Sequence, residues 1–429
     1  MKQDVTPAKV LKGTLNLPAD KSISHRSAMF AALYEGISTI SNFSTAADPH
    51  STLDCMRKLG VSIREQEDNT IEIKGVGREG LQASAKELDC GNSGTTMRLL
   101  SGIIGGSGVS ARLIGDESLS ARTMKRIIDP LTKMGITIEA RDGDYAPLEI
   151  HRNGPIKPLH FPLPIASAQL KSCVLLAGLF GDGETEVIET LPSRDHTERL
   201  LNLNIEERDE NKIIRSSREA VIPEQSYRIP NDFSAAAFWM VAAAIHPDSE
   251  INLPKVGLNP SRTGALDILK SMGATVTITN ESSEGAEPVG DLSISSSKLE
   301  PIHITEEVVP NCIDEIPILA VAMVFADGVS RISGAGELRH KETDRLTAMA
   351  DVLGKAGADF TEYEDGLQIK GDPDFVPKAS LYSSFDDHRI AMSAAVLSMM
   401  AEDKSQVLDA GCTAISYPAF WEDLGTLTN

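Results

Sequence analysis

Met56-Arg57-Lys58-Leu59-Gly60-Val61 and Leu131-Thr132-Lys133-Met134-Gly135-Ile136 carry one pattern twice: a helix-like stretch ends on an apolar residue and Gly, then runs into β-branched residues. The pattern returns as Leu269-Lys270-Ser271-Met272-Gly273-Ala274 and Leu353-Gly354-Lys355-Ala356-Gly357-Ala358. Weaker copies fit at Leu200-Leu201-Asn202-Leu203-Asn204-Ile205 and Trp421-Glu422-Asp423-Leu424-Gly425. Gly at the end of a helix supplies the left-handed residue that turns the chain into the next strand. Marks at 60, 135, 204, 273, 357 and 425 are spaced by 75, 69, 69, 84 and 68 residues, which gives six units with a period of about 70. Upstream of each mark lies a small-residue helix (Ser27 to Leu33, Met97 to Ile104, Gln169 to Phe180, Ala235 to Ile245, Ile316 to Phe325, Ile390 to Met400), then a short strand, a polar loop and the marked helix. The fold predicted is α/β, with six units of one geometry and a polar loop at the same place in each.

A chain of 429 residues is too long for one ordinary core and suits two domains of three repeats each. With 62 acidic against 41 basic residues the formal charge is -21, which argues against nucleic acid and anionic membrane surfaces as partners. At 4% aromatic residues, base-stacking platforms are not expected either. The stretch Met1-Lys2-Gln3-Asp4-Val5-Thr6-Pro7 lacks the apolar core of a signal peptide, and the longest apolar run, Ala235 to Ile245, is too short to span a bilayer. A soluble, cytoplasmic, monomeric protein is expected. Its five cysteines form no C-x-x-C pair and its nine histidines no H-E-x-x-H, so neither disulfides, a metal nor a cofactor is expected.

In so acidic a chain the basic residues are informative where they stand at helix N-termini, because partial positive charge there disfavours them unless an anion binds. In Asp20-Lys21-Ser22-Ile23-Ser24-His25-Arg26, Ser22 or Ser24 is the expected cap of a helix whose first turn holds His25 and Arg26. Gly91-Asn92-Ser93-Gly94-Thr95-Thr96-Met97-Arg98 reads either as a tight turn or as an anion loop with free backbone N–H groups; it lacks the G-K-[ST] end of a Walker A motif. Ser118-Leu119-Ser120-Ala121-Arg122-Thr123-Met124-Lys125-Arg126 puts Arg122 and Arg126 four apart, as for one helix face. Ser193-Arg194-Asp195-His196-Thr197-Glu198-Arg199 occupies the same position in the third unit, and Asp386-Asp387-His388-Arg389 opens the last small-residue helix. In Arg339-His340-Lys341-Glu342-Thr343-Asp344-Arg345, Lys341 and Arg345 form a like-charge pair at helical spacing of four; Glu342 answers Arg345, but Lys341 stays unexplained by a salt-bridged face. Six such loops would furnish more cations than one carboxylate or phosphate needs. Asp314, just ahead of an apolar helix, reads as an N-cap or as an acid beside substrate, and Glu342 as a general acid or base.

These motifs together resemble the enolpyruvyl transferases, in the branch that acts on shikimate-3-phosphate. The match runs through Asp20-Lys21-Ser22 with Arg26, Gly91-Asn92-Ser93-Gly94-Thr95, Ser167-Ala168-Gln169-Leu170-Lys171, Asp314, Lys341-Glu342-Thr343-Asp344-Arg345 and Asp387-His388-Arg389. The Ser-Ala-Gln-Leu-Lys form and Arg194-Asp195-His196-Thr197-Glu198 look like the class II branch. The resemblance implies two similar domains, each of three βαβαββ repeats in an inside-out α/β barrel, spanning 19–230 and 1–18 plus 231–429, with the active site in the cleft between them. It also implies transfer of the enolpyruvyl group of phosphoenolpyruvate to the 5-hydroxyl of shikimate-3-phosphate.

Carried over residue by residue, Lys21, Ser22, Arg26, Ser167, Ala168, Gln169, Ser193, Arg194, Asp314 and Lys341 look like shikimate-3-phosphate contacts. Lys21, Gly94, Arg122, Gln169, Arg345 and Arg389 look like the phosphoenolpyruvate pocket, and Asp314, Glu342 and Lys21 like the proton-transfer set. Two positions depart from the pattern: Ala168 replaces a Ser, and Ala414-Ile415-Ser416 stands where many members carry a Lys. The nearest rival, a transferase acting on UDP-N-acetylglucosamine, carries a Cys in the second-unit loop, and Gly115 to Arg122 has none. A non-catalytic anion-binding repeat protein is the rival of another class.

Overall fold

Sequences such as Phe233–Ile245 (FSAAAFWMVAAAI) have no polar face, so a helix made from them is stable only when covered on every side. The computed structural model, which describes residues 1–428, contains six helices of this kind. They are Lys21–Leu33, Gly94–Ser107, Ala168–Gly178, Phe233–Ile245, Ile316–Val324 and His388–Ser398, each buried over nearly its whole length. They coincide with the small-residue helices read from the sequence.

The chain divides into two compact units. The N-terminal unit is Ala19–Ile229 with the short segment Ser283–Glu287, and the C-terminal unit is Met1–Pro18, Pro230–Ser282 and the chain from Pro288 onward. The Ser283–Glu287 segment, which includes the turn of a long hairpin, adds a pair of crossings to the two expected near residues 18 and 230. In the N-terminal unit the Gly94–Ser107 helix packs against both Lys21–Leu33 and Ala168–Gly178. In the C-terminal unit Phe233–Ile245, Ile316–Val324 and His388–Ser398 all touch one another.

Six sheets enclose these helices, three in each unit, and they share a plan. Leu88–Asp89 pairs parallel with Ala111–Ile114, followed antiparallel by Tyr145–Arg152 and Ile136–Arg141. His160–Pro162, Thr185–Glu189, Asn211–Ser216 and Asn204–Arg208 repeat that arrangement, as do His303–Ile304, Gly328–Ile332, Gly366–Gly371 and Asp359–Tyr363. Lys12–Thr14 is the parallel partner of Glu250–Gly257, whose other neighbour is Glu287–Ser295 with Thr275–Glu284 outside it. In the last sheet Leu381–Ser383 and Ser405–Leu408 run parallel, and the first strand of the chain, Lys2–Val5, closes the edge. The first sheet, Ile37–Ile40, Ile71–Lys74 and Ser62–Glu65, is wholly antiparallel and has one parallel bridge, Ser41 to Arg228, where the others have an entry strand.

The four glycine marks are left-handed as read, at φ +93° for Gly60, +90° for Gly135, +92° for Gly273 and +84° for Gly357. The weaker copies need correction. In the third unit the left-handed residue is Asn202 at φ +49°, two positions before the assigned mark, because Asn tolerates this conformation through local hydrogen bonding. Gly425 lies inside the Phe420–Thr428 helix, so the sixth unit has no glycine turn there.

Close approach of the central helices rests on small residues. A Cβ placed on Gly102 would lie 2.3 Å from the backbone oxygen of Cys173 in the neighbouring helix, and a backbone atom cannot swing aside. Gly102→Ala is therefore expected to lower the unfolding free energy by about 1–3 kcal/mol, as overpacking does. Chemical denaturation measures it, and parental stability in the variant would mean that these helices do not cross so closely.

Candidate functional site

In the C-terminal unit the site grows around Arg345, the first residue of the Arg345–Ala356 helix and only 1% exposed. Its Nε donates to Asp387 Oδ2 at 2.8 Å, its Nη1 to Asp314 Oδ1 at 3.0 Å and its Nη2 to Glu342 Oε2 at 2.7 Å. Burial works against the Arg345 charge, but Asp387, Glu342 and Asp314 outweigh it and hold the guanidinium above its ordinary range. Lys341 Nζ stands 3.7 Å from the same Asp314 oxygen. The sequence placed Lys341 and Arg345 one turn apart on a helix; instead Lys341 ends the short 3-10 helix Gly336–His340, and Asp344 caps the helix that Arg345 begins. Two cations that would repel on one helix face thus share a carboxylate.

Asp314 is not a cap. The Ile316–Val324 helix has no side-chain cap, which leaves Asp314 for Arg345 and Lys341. Asp387 does cap: its Oδ1 accepts the Arg389 N–H at 2.8 Å while the same carboxylate holds Arg345. Arg389, the second residue of that helix, places Nη1 at 3.4 Å from Glu315 Oε1. Asp314, Glu342, Lys341, Arg345 and Arg389 are therefore one connected cluster.

The N-terminal unit holds two smaller groups. The cap of Lys21–Leu33 is Asp20, whose carboxylate accepts from Ile23 N at 2.8 Å, and not Ser22 or Ser24; a residue before the helix is where a cap must stand. Lys21 Nζ pairs with Asp48 at 3.0 Å. Arg26 is buried, with Nε donating to Thr197 at 2.8 Å, Nη2 to Ser172 at 3.1 Å and Nη1 to the Ser22 carbonyl at 3.0 Å. Burial pushes Arg26 down to about 10, with Arg194 adding to the fall and Glu198 and Asp20 opposing it, so it stays charged at neutral pH. Beside it His25, wholly buried, is driven well below its usual value by burial and by Lys21 and Arg26.

The second group centres on Gly94. Ser93 caps the Gly94–Ser107 helix, and a Cβ on Gly94 would meet Arg98 Nη1 at 2.7 Å and Arg122 Nη1 at 3.8 Å. Arg98 donates to Gln169 Oε1 at 2.7 Å, and Gln169 donates to Thr95 at 2.9 Å. Arg122 does not share a helix face with Arg126. It precedes the Lys125–Lys133 helix and binds Asn92 Oδ1 at 2.8 Å and Ser118 Oγ at 2.9 Å, so it returns to the Gly91–Gly94 loop. Ser167 caps the Ala168–Gly178 helix, on which Ala168 and Gln169 occupy the first turn. Ser193 gives both its N–H and its hydroxyl to Glu189 Oε1, at 2.9 and 2.5 Å. Arg194 meets the rest of the set through its field on Arg26.

Sequence reasoning assigned no role to Arg98, Asp387, Glu315 or the buried Lys171, which lies between Glu189 at 2.9 Å and Glu198 at 2.8 Å. A basic residue inside an otherwise apolar buried helix was the available signal for Arg98 and Lys171. Among the described residues no group of His, Cys, Asp and Glu is arranged to hold a metal ion, and no helix is long and apolar enough to cross a membrane.

A family model for EPSP synthase (3-phosphoshikimate 1-carboxyvinyltransferase) matches residues 5–424. The 3-phosphoshikimate 1-carboxyvinyltransferase of Salinibacter ruber is 49% identical over 430 residues, covering 100% of both chains. That of Herpetosiphon aurantiacus is 45% identical, covering 98% of each. Among solved structures, EPSP synthase from Acinetobacter baumannii superposes with a TM-score of 0.87 at 39% identity, covering 100% of this chain and 98% of that one. The enolpyruvyl transferase NikO from Streptomyces tendae shares the fold at a TM-score of 0.78 and 17% identity, covering 99% of this chain and 96% of that one.

His25 supplies a pH test of this site. Its folded pKa lies below the unfolded 6.5, so the unfolded chain binds the extra proton and stability falls as pH drops below 6.5. The cost from this group is at most about 1.4 kcal/mol per pH unit. Denaturation curves between pH 7 and 5 should be less steeply pH-dependent for His25→Gln than for the parent; equal slopes would mean that His25 takes up its proton in the folded state.

Proposed function

The chain belongs to the EPSP synthase family, and we propose on that premise that it transfers the enolpyruvyl group of phosphoenolpyruvate to the 5-hydroxyl of shikimate-3-phosphate and releases phosphate. The observation that carries this reading is the pair of carboxylates, Asp314 and Glu342, gathered on the buried Arg345 with Lys341 beside them. Addition to the enolpyruvyl double bond requires the hydroxyl to lose a proton as it attacks C2 while C3 gains one. Loss of a proton from C3 with cleavage of the C2–O bond to phosphate then restores the double bond and releases phosphate from the tetrahedral intermediate. Two carboxylates and an ammonium group are suited to these transfers, and we assign them to Asp314, Glu342 and Lys21.

The other residues bind charge. Arg345, Arg389, Arg122, Gln169, Lys21 and the glycine cradle at Gly94 are assigned to phosphoenolpyruvate, whose phosphate and carboxylate need fixed donors. Lys21, Ser22, Arg26, Ser167, Ala168, Gln169, Arg194, Asp314 and Lys341 are assigned to shikimate-3-phosphate. Ser193 joins that set through its loop, since its own hydroxyl is committed to Glu189. The protein is taken to work in the cytoplasm as a monomer.

Phosphate release from phosphoenolpyruvate, measured with shikimate-3-phosphate and in parallel with UDP-N-acetylglucosamine, both with EDTA, tests the reading. Release with the first acceptor alone is expected. Glu342→Gln and Asp314→Asn should each lower kcat by about 10²–10⁴-fold, the range of general acid–base catalysis. A variant within tenfold of the parent would remove that residue from the proton-transfer set.

A further inference from the structure

Consecutive residues at one helix start are divided between two arginines. Asp314 goes to Arg345 at 3.0 Å, and Glu315 goes to Arg389 at 3.4 Å. Glu315 is wholly buried and Arg389 is 7% exposed, so neither charge is there for solvation. Nor is Glu315 used to cap the helix it precedes. Its Oε1 also takes the hydroxyl of Ser234. Ser234 Oγ in turn accepts from Arg262 Nη2 at 2.5 Å, and Arg262 faces Asp232 at 3.6 Å. The Ser234 backbone N–H is fixed on Asp232 Oδ1 at 2.7 Å. A buried polar chain thus runs Asp232, Arg262, Ser234, Glu315, Arg389 within the C-terminal unit, with Ser234 as a neutral link between the ions.

We propose that Glu315 is a positioning residue for Arg389, orienting its guanidinium for the anionic end of phosphoenolpyruvate; the inference rests on the reading of the preceding section. The Arg389 backbone is fixed by Asp387 and its Nη1 by Glu315, while its buried Nε has no hydrogen-bond partner among the described residues. A guanidinium held on one side with a donor left over is prepared for a planar, two-oxygen anion, and its rotamer entropy is already spent. Glu315 does this through Arg389 and touches no substrate. Ser234, itself held by Arg262, keeps the carboxylate from turning away, which gives a serine its use in the first turn of a helix otherwise made of apolar residues.

The test compares KM values for the two substrates in Glu315→Ala, Glu315→Gln and Ser234→Ala. Loss of the anchor should raise KM for phosphoenolpyruvate at least fivefold in Glu315→Ala and leave KM for shikimate-3-phosphate within twofold. Glu315→Gln, which keeps an acceptor of the same shape, should show a smaller rise of the same selectivity and decides the matter if the Ala variant fails to fold. Ser234→Ala should shift the same constant in the same direction. A folded Gln variant with both constants at parental values, or with both raised together, overturns the inference and leaves the proposed reaction standing. An inactive parent overturns that reaction and the inference with it.

Discussion

A helix covered on every side can present chemistry only at its ends, and this constraint organises both units. Six such helices fill the two cores, and the polar residues assigned to substrate gather at their first turns or in the loops before the second helix of each repeat. The small residues that let the helices approach, Gly102 against Cys173 foremost, are thus the reason the helix starts can be crowded with donors. Partial positive charge at each start favours anions there, and the added cations deepen that preference.

Crowding cations inside a core has a cost that the structure meets with buried carboxylates. Arg345 takes three, Lys171 takes Glu189 and Glu198, and Arg389 takes Glu315. Taking such ions out of water costs several kcal/mol each, and removing one partner of a buried pair typically costs about 3–5 kcal/mol. A structural protein of this size gains nothing by such an arrangement over apolar packing. An enzyme that holds two anions and moves protons between them has a use for charges kept dry and fixed.

Much of this arrangement is legible in the amino-acid sequence. The glycine marks gave the repeat because only a left-handed turn joins those helices to the next strands, and the central helices were visible as runs without a polar face. Motifs carrying Lys21, Arg122 and Arg345 stood out because cations near helix starts contradict local electrostatics, and the glycine loop at Gly94 and the acids Asp314 and Glu342 stood beside them, whereas Gln169 entered only through the family resemblance. Local rules misled where the chain leaves the helix: Arg122 and Lys341 were read at helical spacing, yet each sits just outside the helix it seemed to belong to.

What the sequence alone determined is therefore the repeat, the buried helices and the residue types gathered at their starts, since all three follow from local periodicity and turn chemistry. Which carboxylate meets which cation was decided only by tertiary structure. Asp314 and Arg345 are 31 residues apart, Arg345 and Asp387 42, and Glu315 and Arg389 74. No local preference reports a partner at such separations; it is fixed when the central helices pack, and the choice between cap and ion pair at Asp314 is settled in the same event.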